Sequence, residues 1–150
     1  MSYNKSYNVL QYLKENGYNE TRKDINEIFL NCIAENQLSK FKLILIYSNE
    51  NNINLNVNVL DMNDNYSFLW CTIINNIEMT KLLINYADSN GIILKINEIN
   101  TNGNYPLLWC TMNNNLEMAR LLMNYAFKKN INLKINKKNK KKRVSTFMFY

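Results

Sequence analysis

The sequence predicts an all-α fold, a solenoid of stacked helix pairs with short turns and extended fingers between repeats. Three observations predict it. Residues 65–87, NYSFLWCTIINNIEMTKLLINYA, reappear at 104–126 as NYPLLWCTMNNNLEMARLLMNYA, with fifteen of 23 positions identical at an offset of 39. The three cysteines, Cys32, Cys71 and Cys110, keep that step twice, as do Asn36, Asn75 and Asn114, or Tyr47, Tyr86 and Tyr125. Within a unit, apolar residues recur at helical spacing. A fixed period of this size marks units that cannot bury their own apolar face and stack to bury it together.

The elements follow in order. NVLQYLKENG at 8–17 matches a second helix ending at Gly17, so residues 1–23 read as an N-terminal cap helix. DINE at 24–27 reads as a capping box opening the next helix. Repeat 1 then spans 24–62, repeat 2 63–101 and repeat 3 102–136, with 137–150 as a basic tail or truncated fourth repeat. In repeat 3 a short helix runs from Pro106 to Met112, because proline suits the first helical turn and Leu107, Cys110 and Thr111 share one face. Asparagines 113–115 break it, since Asn tolerates left-handed geometry. A second helix runs from Leu116 to Lys128, with Glu117 and Arg120 spaced to pair on its surface. Gly103 is free to take positive φ in the turn before Pro106.

Asparagine is abundant, at 31 residues, and reads as surface and turn filler; histidine is absent. The net charge of +6 is local: six of the eighteen basic residues are Lys137, Lys138, Lys140, Lys141, Lys142 and Arg143, and the rest balance the twelve acidic ones. That cluster is compatible with a nuclear import signal, a polyanion-binding contact to nucleic acid or an acidic partner, or a solvated end. No membrane span and no signal-peptide core is visible, so the chain reads as intracellular, cytoplasmic or nuclear, and as a monomer.

One cysteine per unit without histidine falls short of the clustered ligands that zinc needs. Without histidine the commonest general base is missing, and three glycines make no phosphate loop. No catalytic, cofactor-binding or metal residue is assigned, and an enzyme is not expected.

These units resemble the ankyrin repeat, in a long variant with a 39-residue period. Asn100 stands at the family's finger Asp and Gly103 at its turn Gly; Tyr105, Pro106 and Leu107 stand at Thr-Pro-Leu. Cys110 and Thr111 take the paired Ala positions, Asn114 the inter-helix Gly, and Glu117 to Leu122 match the second helix without a gap. The preceding unit aligns likewise, with Ser67 for the Pro and Asp64 for the turn Gly, and the resemblance covers about residues 25–139. Leu69 and Leu108 replace the family's His, with Trp70 and Trp109 just after it. The extra residues fall after Ala87 and Ala126, where they lengthen the second helix and its exit.

The resemblance implies a non-catalytic scaffold that binds another protein through its concave face and turn tips. The residues so placed are Met62, Asn63, Asn65, Ile73 and Ile74 in one unit, and Thr101, Asn102, Asn104, Met112 and Asn113 in the next. Ile73, Ile74 and Met112 would form an apolar centre with asparagines at its rim; the alternative is that they pack against the long connections. Two further readings stand beside this one. The tail could dominate, making an adaptor for nucleic acid or an acidic surface, or the chain could be a fragment of a longer array.

Overall fold

A computed structural model describes residues 11, 13–15 and 22–134. Gln11 and Leu13–Glu15 are helical, and Leu13 is buried in the core. The rest of the expected cap helix and the expected tail, residues 137–150, lie outside the described residues.

Six helices follow in three pairs: α1 (Arg22–Ala34) with α2 (Leu38–Glu50), α3 (Ser67–Ile73) with α4 (Ile77–Ser89), and α5 (Pro106–Met112) with α6 (Leu116–Lys128). The first helices α1, α3 and α5 stack on one another, and the second helices α2, α4 and α6 form a parallel layer. Phe29, Phe41, Leu69, Met79, Leu108 and Leu122 lie between the layers in one continuous core. The three cysteines occupy equivalent, buried sites as free thiols. Burial pushes the Cys71 and Cys110 thiols up to about 12, so neither holds thiolate at neutral pH.

These six helices end in the same way. Asn36, Asn75 and Asn114 follow the first helices, and Asn52, Gly91 and Asn130 the second; all six have φ between 49° and 65°. After α3, for example, Asn75 N–H donates to the Thr72 carbonyl and Asn76 N–H to the Cys71 carbonyl, the paired bonds of a Schellman motif. A left-handed residue thus satisfies orphan carbonyls and turns the chain back at once. The next helix is capped by asparagine too: the Asn76 and Asn115 side chains accept from the Met79 and Met118 amides.

The same residues bind the repeats together. Asn76 Nδ2 donates to Asn36 Oδ1 at 2.7 Å, and Asn115 Nδ2 to Asn75 Oδ1 at 2.6 Å. Below the second helices, Asn58 clamps the next repeat's exit arm, donating to the Ile93 carbonyl at 2.8 Å and accepting from Lys95 N–H at 2.9 Å. Asn97 holds the Asn132 carbonyl and the Lys134 amide in the same way, one period later. The arm at 92–96 is irregular, but Leu94 and Ile96 are buried, and Leu94 N–H donates to the Tyr125 hydroxyl. The expectation that asparagine merely fills surface and turns is therefore corrected: its amide substitutes for a backbone partner across repeats.

Two local expectations are also corrected. α1 is already helical at Arg22, so the box beginning at Asp24 lies inside the helix and does not open it. Glu117 does not pair with Arg120; it reaches back to Lys81 of the previous repeat at 2.9 Å, as Glu78 reaches Lys42. Stacked second helices bring position 81 of one beside position 117 of the next, whereas the i, i+3 pair competes for the same carboxylate. These pairs are exposed and contribute little.

The left-handed turns make a direct prediction. Asn75→Gly keeps the backbone conformation and loses only the bond to Asn115. Asn75→Ala loses the same bond and, unlike glycine, keeps a Cβ in left-handed geometry without the local amide bonding that eases asparagine there, which costs about 1–2 kcal/mol more than glycine. Urea denaturation should rank wild type above Asn75→Gly above Asn75→Ala; equal stability of the two variants would show that the turn is not constrained in this way.

Candidate partner-binding surface

The segments linking each second helix to the next first helix project as fingers, and each is built on one side chain. In the finger before α3, Asp61 N–H and the Asn65 carbonyl pair at 3.0 Å, and residues 60 and 66 form an antiparallel bridge. Asp61 Oδ1 accepts from the Asn63 and Asn65 amides at 2.8 and 2.9 Å; Oδ2 accepts from Asn65 Nδ2 at 2.9 Å and the Trp70 indole at 3.0 Å. Burial alone would raise the Asp61 carboxyl, but these donors outweigh it and hold it below the ordinary carboxylate value. Asp64, at φ 58°, completes the turn where Gly103 stands in the next finger at 80°.

The second finger repeats the design with an amide. Asn100 Oδ1 accepts from the Asn102 and Asn104 amides, and its Nδ2 donates to Asn65 Oδ1 at 2.6 Å. That leaves no second acceptor, and the Trp109 indole N–H is buried without a partner among the described residues. The two fingers are joined at their tips, where Thr101 N–H and Oγ1 both reach the Asn63 carbonyl at 3.1 Å.

Against this geometry the sequence-assigned residues separate. Met62 is 98 % exposed at the first tip, and Asn63 and Thr101 are exposed beside it. Asn102 and Asn104 are half-buried in the second finger. Asn65 is not a rim residue: it is 6 % exposed, because both ends of its amide are used between the fingers. Ile73 and Ile74 do not form an exposed apolar centre either. α5 packs on α3, and both isoleucines are half-buried against the shared core. Met112, on α5, is 53 % exposed. Asn113 is half-buried and donates to the Thr72 carbonyl of the preceding repeat. The polyanion-binding assignment to Lys137, Lys138, Lys140, Lys141, Lys142 and Arg143 lies outside the described residues.

A feature that the sequence reading missed lies beside the first finger. Asn26, Glu27, Leu30 and Asn31 of α1 face Asn56, Val59, Leu60, Asp61, Met62 and Asn63 across a groove of about 780 Å³. Among the described residues, Glu27 and Asp61 are the charged groups that line it. At the 39-residue step Glu27 and Asn31 stand where Tyr66 and Trp70 do, but Glu27 lies inside α1 whereas Tyr66 is the extended residue before α3, so the step alone does not signal the groove.

A family model described as ankyrin repeats (three copies) matches residues 1–139. No curated protein matches the chain. Among the described residues no helix is long and apolar enough to cross a membrane.

The Asp61 network is testable by a near-isosteric change. Asp61→Asn puts donors where Asn65 Nδ2 and the Trp70 indole need an acceptor, the state already seen at Trp109. It should cost about 1–2 kcal/mol at pH 7. Because the folded carboxyl titrates below its unfolded value, its stabilisation is present above about pH 4 and is lost as pH falls through the folded value. Denaturation at pH 7 and pH 3 should show the gap between wild type and variant narrowing in acid; a pH-independent gap would contradict this role.

Proposed function

The chain belongs to the ankyrin-repeat family, and from that premise we propose that it is a non-catalytic scaffold binding a partner protein through its finger tips and concave face. Ankyrin repeats are generally protein–protein interaction modules, and proteins built from them are typically non-catalytic scaffolds. One observation carries the finer reading: Met62 stands 98 % exposed on a finger whose backbone is pinned by Asp61 and tied to its neighbour through Thr101. A large apolar side chain held fully in solvent on a fixed support gains by being covered, and methionine adapts to many surfaces. Asn63, Asn102 and Asn104 supply adaptable amides around it, and Met112 adds exposed apolar area on α5.

The test is affinity capture from the source cell followed by quantification of the captured protein against variants. Met62→Glu and Met112→Glu remove apolar contact at exposed positions, so the melting temperature should stay within about 2 °C of wild type, as surface substitutions do. Capture by the double variant should fall at least about tenfold, since interface anchors commonly contribute more than 1 kcal/mol each. Undiminished capture by a folded double variant would place the contact elsewhere, and loss of capture on removing residues 137–143 alone would favour the basic cluster instead.

A further inference from the structure

The outer side of α6 is built like a surface that the other second helices keep covered. α2, α4 and α6 each have thirteen residues and begin at positions 38, 77 and 116, so they correspond residue by residue. Residues 38, 42, 45 and 49 form one stripe on α2, and 77, 81, 84 and 88 the same stripe on α4. α4 packs on the first and α6 on the second. Leu45 is accordingly 7 % exposed, and Ile77 and Ile84 are half-buried. On α6 the stripe is Leu116, Arg120, Met123 and Phe127. Among the described residues α6 packs on α4 and α5, and this stripe stays open: Met123 is 39 % and Phe127 87 % exposed. The polar groups follow the same step. Lys42 and Lys81 each bind the second residue of the next helix, Glu78 and Glu117. Asn36 and Asn75 each accept from the asparagine that caps it, Asn76 and Asn115. Arg120 and Asn114 hold those two positions on the last described pair, both exposed, and neither side chain has a partner among the described residues. Residues 118–150 contain no aspartate or glutamate, so no side chain following in this sequence supplies the missing carboxylate.

We propose, on the premise that this protein binds a protein partner, that the open face of α6 receives an amphipathic helix of that partner opening Asn-X-Glu, seated as a further second helix. Its capping amide donates to Asn114, its glutamate pairs with Arg120, and its apolar side covers Leu116, Met123 and Phe127. A carboxylate in the first turn also meets the positive end of the helix dipole, so the feature that is recognised stabilises the helix that carries it. The far end of the stripe departs from the internal pairs and sets specificity. Asp88 on α4 accepts from Lys128 and Lys129 in the last turn of α6. Phe127 stands in the place of Asp88, so the partner helix carries an apolar residue in its last turn, and a lysine there is disfavoured.

The probe is a capped peptide, Asn-Leu-Glu-Met-Ala-Arg-Leu-Leu-Met-Asn-Tyr-Ala-Phe-Leu, which repeats residues 115–127 and ends in leucine where the chain has Lys128. It is titrated into the full chain while the methyl resonances of Leu116 and Met123 are followed by NMR. Saturable shifts should appear at these methyls, and peptides with glutamine or lysine in place of the glutamate should bind about threefold or more weakly. Arg120→Glu should reverse that order and favour the lysine peptide. Phe127→Asp should abolish the shifts and leave the melting temperature within about 2 °C of wild type, because the side chain is exposed. Equal binding of the glutamate and glutamine peptides, an order that Arg120→Glu does not reverse, or shifts away from α6 would each overturn the proposal. Self-association of the full chain that Phe127→Asp abolishes would assign the face to a second copy and overturn it too. So would a change of the Leu116 and Met123 methyls in unliganded Phe147→Ser, which would assign the face to the chain's own C-terminal residues. A partner lost by the Met62→Glu, Met112→Glu double variant and retained by Phe127→Asp would overturn it and leave the finger-tip surface standing; the reverse result would sink the finger-tip reading and leave this one standing.

Discussion

The structure depends on side-chain amides doing the work of backbone partners. Helices of seven residues such as α3 and α5 are too short to persist alone. They last because each is closed by a left-handed asparagine and held to the next repeat. An asparagine carries a donor and an acceptor in the spacing of a peptide group, so Asn58 can meet a carbonyl and an amide of the neighbouring arm together. Asn36 and Asn75 serve twice, as turn residues and as acceptors for the next repeat's cap. The exposed ion pairs follow the same step but are screened by solvent.

The fingers show how one atom alters that scheme. Asp61 offers two oxygens and satisfies four donors. Asn100 offers one oxygen, spends its nitrogen on Asn65, and leaves the Trp109 indole without a partner among the described residues. The exchange joins the two fingers through a buried amide, at the cost of one unmet donor. A joined pair of tips with Met62 exposed on the first is the result, and a groove lies between that finger and α1.

Much of this was legible in the sequence because the period is an internal alignment. Helices α5 and α6 begin and end where the pattern of Pro106, asparagines 113–115 and Leu116 places them, and the cysteines are buried in register. The family resemblance gave outward directions for the site residues, and there it failed at particular places. Asn65 turns inward because Asp61 and Asn100 both need it, and Ile73 and Ile74 are packed against the core. The Asn65–Asn100 bond joins residues about one period apart, and the isoleucines are covered by the packing of α5 on α3, outcomes that the identity of no single residue announces. The groove was not readable from the period, because α1 starts earlier in its unit than α3 and α5 do, which puts Glu27 inside a helix where Tyr66 and Tyr105 are extended.

The central claim is that asparagine amides couple one repeat to the next, and native-state amide exchange tests it most directly. In Asn58→Ala the Lys95 amide loses its acceptor, whereas the adjacent Leu94 amide keeps the Tyr125 hydroxyl. The account predicts that Lys95 exchange accelerates at least about tenfold while Leu94 stays protected, as expected for losing one bond worth about 1 kcal/mol or more. Unchanged protection at Lys95 would mean that packing alone holds the arm and that the amide ladder is incidental.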